Sequence, residues 1–154
     1  MAESVKPEHA WTQFAMSVFK INGLIIQAGE GITGPIGQSS ARWQVLGRAY
    51  QPQTVSNMAR DIGHARQSVQ RIADVLEEEG LIAYLDNPSD RRARLAQLTP
   101  EGVEVLNAIY LRQVEWSLQI MKHLNAAQLV DIADALGNVS RVLATAFEAS
   151  KAAG

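Results

Sequence analysis

Two short amphipathic segments meet at a single glycine near the middle of the chain, and that pairing restricts the fold more than any other feature. The first, TVSNMARDI, starts at Thr54 and places Val55, Met58, Ala59 and Ile62 on one face. Gly63 follows, the residue type that ends helices in the left-handed conformation. The second segment runs from about Ala65 to Glu79, with Val69, Ile72, Ala73 and Leu76 inward, and Gly80 stops it. Two short helices joined by a tight glycine turn match a helix-turn-helix. LIAYLD and RLAQLT then alternate loosely around NPSDRRA, the pattern of a two-stranded hairpin. A helix-turn-helix followed by such a hairpin is a winged helix.

The flanks read as helices. Residues 8–28 carry Trp11, Ala15, Val18, Phe19 and Ile26 at three- and four-residue steps, with few charges. The stretch from Gly29 to Ser40, dense in Gly, Ser and Pro, reads as a loop. Ser39 or Ser40 can then cap a helix SARWQVLGRAY that should end near Tyr50. Thr99-Pro100-Glu101 is a helix start, with a capping hydroxyl, a proline at the first helical position and an acid in the first turn. That helix should run to about Leu124. One stripe is marked by Val103, Leu106, Tyr110, Val114 and Met121, another by Ile109, Trp116 and Ile120. Asn125 with Gln128 resembles a capping box for a last helix along Leu129, Ile132, Leu136, Val139, Leu143 and Phe147.

The expected fold class is therefore mainly α: a winged helix-turn-helix, with a three-helix core and a two-stranded β-wing, between long N- and C-terminal dimerisation helices. The expected division is 1–31 for the N-terminal dimerisation helix, 32–99 for the winged-helix body and 100–154 for the C-terminal dimerisation helices. The terminal helices hold more apolar surface than so small a body can cover. Soluble monomers rarely expose large apolar patches, so a homodimer is expected.

Composition narrows the function. A chain of 154 residues can bury a real core without staples. It has no cysteine, which excludes disulfides, thiolate metal sites and thiol-based peroxide sensing. At 47% hydrophobic it is ordinary for a folded soluble protein. No apolar run approaches the roughly 18 residues that span a bilayer, and the N-terminus has no signal-peptide core, so no membrane partner and a cytoplasmic location are expected. His9, His64 and His123 are scattered, Asp131 and Asp134 read as a solvated face, and Ser39-Ser40 has no associated base. No catalytic residue, metal site or cofactor is expected, and the chain does not read as an enzyme.

The net charge is −2, so any role on nucleic acid must rest on local charge. Two places supply it. The N-terminal half of the second motif helix presents Arg66, Gln67, Ser68, Gln70 and Arg71, whereas Glu77, Glu78 and Glu79 close its far end. A recognition helix enters the major groove N-terminal end first, and Gln and Arg suit bidentate bonds to adenine and guanine edges. The second place is the turn in NPSDRRARLAQLT, with Arg91, Arg92 and Arg94. A narrow A·T-rich minor groove attracts arginine. Asp90 is expected to hold Arg92 extended, with Arg91 and Arg94 on phosphates. Gln53, Thr54 and Ser56 could add neutral phosphate contacts. A short basic turn is more often plain solvated surface, and Arg94, which begins a strand, is the arginine best placed for a structural role. Helix and turn in the right order and spacing outweigh either alone.

From about Arg42 to Gly102 the chain resembles the MarR family of bacterial transcription regulators. The resemblance lies in RWQVLGRAY, in NMARDIGHARQSVQRIADVLEEEGLI and in NPSDRRARLAQLTPEG, whose Asp-x-Arg-Arg wing before a leucine-threonine-x-x-glycine helix start is the most specific piece. It implies a homodimer on a palindromic double-stranded DNA operator, Arg92 as the wing-tip arginine with Asp90 as its partner, and Gln67, Ser68, Gln70 and Arg71 facing the major groove. Ala65 departs from the pattern, standing where the family often has a serine cap.

Repression is the expected mode, with recognition helices reaching half-sites roughly 34 Å apart. Many relatives bind small aromatic acids where the dimer helices meet the body. Trp11, Phe19, Trp43, Tyr110 and Trp116 could line such a cleft, with Arg42 or His9 as anchor, and Trp43 and Trp116 are the named candidates for a small aromatic effector. Aromatics at helical spacing are more often core. The rival reading is a winged-helix protein-interaction module whose wing meets an acidic partner. Arg92→Ala separates the two, since an interaction module has no specific DNA complex to lose.

Overall fold

The computed structural model describes residues 6–152. The elements in order are α1 (Pro7–Thr33), α2 (Ser40–Ala49), β1 (Gln53–Thr54), α3 (Val55–Ile62), α4 (Arg66–Glu78), β2 (Ile82–Leu85), β3 (Leu95–Leu98), α5 (Pro100–Ile120) and α6 (Ala126–Ala152). The chain divides into two compact units, one up to Gln113 and one from Val114.

In the first unit the core is built from the positions that the helix-turn-helix periodicity marks. Val55, Met58 and Ala59 of α3 and Val69, Ala73 and Leu76 of α4 are buried, joined by Val45, Leu46 and Ala49 of α2 and Ile109 of α5. Thr54 caps α3, its hydroxyl accepting from the Asn57 amide at 3.2 Å. Gly63 ends α3 at φ 75°, a conformation a side chain resists, and its N–H reaches the last carbonyls of the helix. Ser39 rather than Ser40 caps α2, accepting from the Arg42 amide.

The sheet has three strands in the order β1-β3-β2, where two were expected. β2 pairs antiparallel with β3 from Ile82↔Leu98 to Leu85↔Leu95. The addition is β1, two residues just before α3, paired as Gln53↔Ala96 and Thr54↔Leu95. A two-residue strand shows no alternation, so periodicity cannot find it. Thr99 fastens the wing to α5: its hydroxyl donates to the Gly80 carbonyl and accepts from the Gly102 amide. Gly102 packs so tightly on Leu81 that an added Cβ would collide with the Leu81 carbonyl.

The loop expected from Gly29 to Ser40 is mostly helix. α1 runs on through Gly29 and Gly31 to Thr33, followed by a 3-10 turn at Gly34–Ile36. Two glycines cost such a helix about 2 kcal/mol, and tertiary contacts offset it. Ile32 and Thr33 are buried. Gly29 sits against Ser40, whose hydroxyl would lie 2.6 Å from any added Cβ. Glu30 accepts from the Ser40 amide at 2.8 Å, and Arg112 of α5 donates to the Ile32 carbonyl at 2.6 Å. α5 ends at Ile120 rather than near Leu124.

In the second unit, α6 buries none of its side chains, and Asn125 caps it by accepting from the Gln128 amide. Leu129, Val130, Ile132, Leu136, Val142 and Phe147 are all exposed along its length. On α1, Trp11, Met16, Phe19, Leu24 and Ile25 are exposed in the same way. Helical spacing thus gave true helices, but these aromatics are not core within one chain.

Candidate nucleic-acid interface

α4 starts without a side-chain cap. Ala65 holds the extended N-cap conformation (φ −64°, ψ 135°) yet has no oxygen to offer, and no His64 side-chain bond replaces it. Its first turn therefore keeps free backbone N–H groups. Arg66, Gln67, Ser68 and Arg71 are exposed on the outer face, while Gln70 is half-buried. The acids expected at the far end are exposed there as Glu77, Glu78 and Glu79. Glu79 is held by Arg42 of α2 in a two-pronged ion pair, with Nη1 2.9 Å from Oε1. The Arg42 hydrogen bond keeps the Glu79 carboxyl below its ordinary 4.5, slight desolvation opposes this, and the Arg42 charge adds to it. Arg42 also donates to Gln38. As an anchor for an effector it is already spent, a pairing across 37 residues that no local pattern reveals.

Between α4 and the wing lies a cleft of about 330 Å³. Thr54, Ser56, Arg66, Gln70, Arg92 and Arg94 line it, drawn from three separate stretches of sequence, together with the acids Asp74 and Glu77. Gln53 is half-buried and its amide donates to the Arg48 carbonyl at 2.8 Å. Asp90 and Arg91 are exposed on the wing.

The Asp90–Arg92 relation differs from expectation. The Asp90 carboxylate accepts from the Arg92 backbone amide at 2.9 Å, and no ion pair joins it to the guanidinium. Two residues apart on a turn, the carboxylate meets the nearby amide before it can meet a long side chain. Asp90 thus shapes the turn and leaves the Arg92 side chain exposed. Asn87 shapes it too, donating to the Ala93 carbonyl and accepting from the Ser89 amide. Arg94 is exposed but tied down: it donates to the Tyr84 carbonyl at 2.7 Å and lies 5.1 Å above the Tyr84 ring.

Tyr84 is the member of this site that the sequence reading left out, and Asp74, on the outer face of α4, joins it as a hydrogen-bond partner. The Gln70 amide nitrogen lies 2.7 Å from Asp74 Oδ1 and 2.9 Å from the Tyr84 hydroxyl, which is 3.1 Å from the same Asp74 oxygen. Burial pushes the Tyr84 phenol up to about 12, Asp74 adds to the rise, and the Gln70 bond opposes it. One signal was available: Tyr84 stands two residues after buried Ile82, on the same side of β2.

A second cleft, about 520 Å³, lies among α1, α2 and α3. Trp43 lines it with Ile25, Ile26 and Ile62, and Arg48 and Asp61 are its charged groups. Trp116 belongs to the second unit and is 42% exposed.

A helix-turn-helix, a basic wing beside its second helix and long flanking helices define a winged-helix transcription regulator. The MarR family model matches residues 42–93. The uncharacterized protein Rv2011c of Mycobacterium tuberculosis is 36% identical over 123 residues, 77% of this chain and 84% of that one. The chain belongs to the MarR family, whose members are transcription regulators, not enzymes. Solved structures share the fold. CouR from Rhodococcus jostii bound to p-coumaroyl-CoA has a TM-score of 0.73 at 21% identity, over 82% of this chain and 91% of that one. Mutant MarR from E. coli complexed with operator DNA has 0.72 at 18% identity, over 87% and 98%. No helix among the described residues is long and apolar enough to cross a membrane.

Proposed function

We propose that the chain acts in the cytoplasm as a homodimeric repressor on a palindromic operator, with α4 in the major groove and Arg92 in the minor groove. The observation that carries this is the cleft in which α4 and the wing arginines converge. Arg66, Gln67, Ser68 and Arg71 stand exposed on the leading half of the helix, with the glutamates at the trailing end. Base edges take the first set, and of the second Glu78 and Glu79 lie outside the cleft while Glu77 borders it. Thr54, Ser56 and Arg91 serve the backbone. Gln53 and Arg94 hold the fold with the groups that would otherwise do so. The operator-bound MarR of E. coli supports the DNA reading through its shared fold. The exposed apolar faces of α1 and α6 support the dimer.

The test is fluorescence anisotropy on the DNA upstream of the chain's own gene against scrambled DNA at physiological salt. A preference of about a thousandfold is expected. Arg92→Ala should lower it sharply and leave the dimer intact. Equal, weak binding to that DNA and to a genomic operator library would favour the interaction-module reading.

The cleft beside Trp43 is the place proposed for a small aromatic effector, supported by its apolar lining and by the ligand-bound relative CouR. Trp116 enters this proposal only if the dimer brings it there. Binding to one dimer state would shift helix spacing away from the operator. Quenching of Trp43 fluorescence by aromatic acids, abolished in Trp43→Ala, is the check.

A further inference from the structure

We infer that Tyr84 decides what Gln70 shows to DNA, by taking the second proton of an amide whose first is held by Asp74, so that only the carbonyl oxygen remains. This rests on the DNA reading above. The proton assignment follows from chemistry. A carboxylate only accepts hydrogen bonds, so the Gln70 atom 2.7 Å from Asp74 Oδ1 is the amide nitrogen. The same carboxylate takes the phenol proton, since Tyr84 lies 3.1 Å from it. The phenol oxygen is then left as an acceptor for the second amide proton, at 2.9 Å. The triangle closes with both amide protons in bent bonds to neighbouring acceptors, leaving no spare donor. Arg94 holds the ring that carries the hydroxyl, through its stack and its bond to the Tyr84 carbonyl.

A free glutamine pairs with adenine by donating to N7 and accepting from N6. Gln70 lacks the donor half. Its carbonyl suits any base with a major-groove amino group, adenine N6 or cytosine N4, and opposes the acceptor-only edges of guanine and thymine. Tyr84 is thus a positioning residue acting through Gln70, and one position of each half-site should accept adenine or cytosine alike.

Two measurements on the full-length protein test this. In the free protein, nitrogen-15 NMR should show the Gln70 side-chain amide protons exchanging at least tenfold slower than those of exposed Gln67. Tyr84→Phe, which keeps the ring, should release one of them. Exchange as fast as that of Gln67 in the wild type overturns the closed triangle. Second, selection from a randomised DNA library should give one half-site position with adenine and cytosine equally favoured, about tenfold over guanine and thymine. Gln70→Ala should flatten that position, and Tyr84→Phe should turn it towards adenine. An unchanged preference in Tyr84→Phe overturns the inference. Slow exchange with no selected DNA overturns instead the DNA reading, and the base-reading half of the inference with it.

Discussion

Arg92 and Arg94 are two residues apart on the wing but differ in what they can reach. Both are exposed, but the Arg94 guanidinium is bonded to the Tyr84 carbonyl and stacked on its ring, whereas Arg92 has only its backbone amide tied, to Asp90. Arg92→Ala should therefore lower operator affinity more than tenfold with an unchanged melting temperature, read by anisotropy and a thermal scan. Arg94→Ala should instead cost about 1 kcal/mol of stability. Tyr84 gives a pH prediction. Its folded pKa, about 12, lies above its ordinary 10.0, so the folded state holds the phenol proton more tightly. Stability from this group is complete below pH 10 and is lost as pH rises from 10 towards 12. Denaturant midpoints at pH 9 and pH 11 should fall further apart in wild type than in Tyr84→Phe. At this scale the sequence marked which side chains are basic. It did not show which are occupied, because their partners, Tyr84 for Gln70 and Glu79 for Arg42, stand 14 and 37 residues away.

Among the elements, helix starts were the most legible, since a cap is a local chemical event. Thr54 before α3 and Thr99-Pro100 before α5 both act as their residue types dictate. α4 is the exception with a use. Its N-cap backbone is already extended at Ala65 and wants only an oxygen. Ala65→Ser should stabilise the protein by about 1 kcal/mol, raising the melting temperature by roughly 2–4 °C. Calorimetry checks this, and no gain would mean that the serine finds no amide to accept from. Gly102→Ala should do the opposite. Its Cβ meets a backbone carbonyl that cannot move without breaking the wing's attachment to α5, so a loss of about 3 kcal/mol or more is expected. The end of α1 and strand β1 escaped local rules for the same reason. Gly29 to Thr33 is helical because Ser40 and Arg112 hold it, and β1 exists because β3 is beside it.

At the scale of the whole molecule, α1 and α6 each leave a row of apolar side chains exposed. Sedimentation equilibrium at micromolar concentration should give twice the chain mass. Ile132→Asp should shift it towards monomer or aggregate while the helical circular dichroism persists. That surface was legible because amphipathic spacing survives without knowledge of what covers it. β1 bears on what such an assembly can vary. Gln53 and Thr54 are bonded to the wing strand, and Thr54 is also the cap of α3, so one residue belongs to the wing and to the helix-turn-helix at once. A wing fixed at its root to α3, against which α4 packs, cannot swing independently of the helix-turn-helix. In the proposed dimer each copy would carry a rigid stamp whose lettering is set within residues 53–98, and only the distance between the two stamps would remain adjustable. Mutations in the outer helices could retune operator spacing without altering a letter, so lineages with different spacers should share the same half-site.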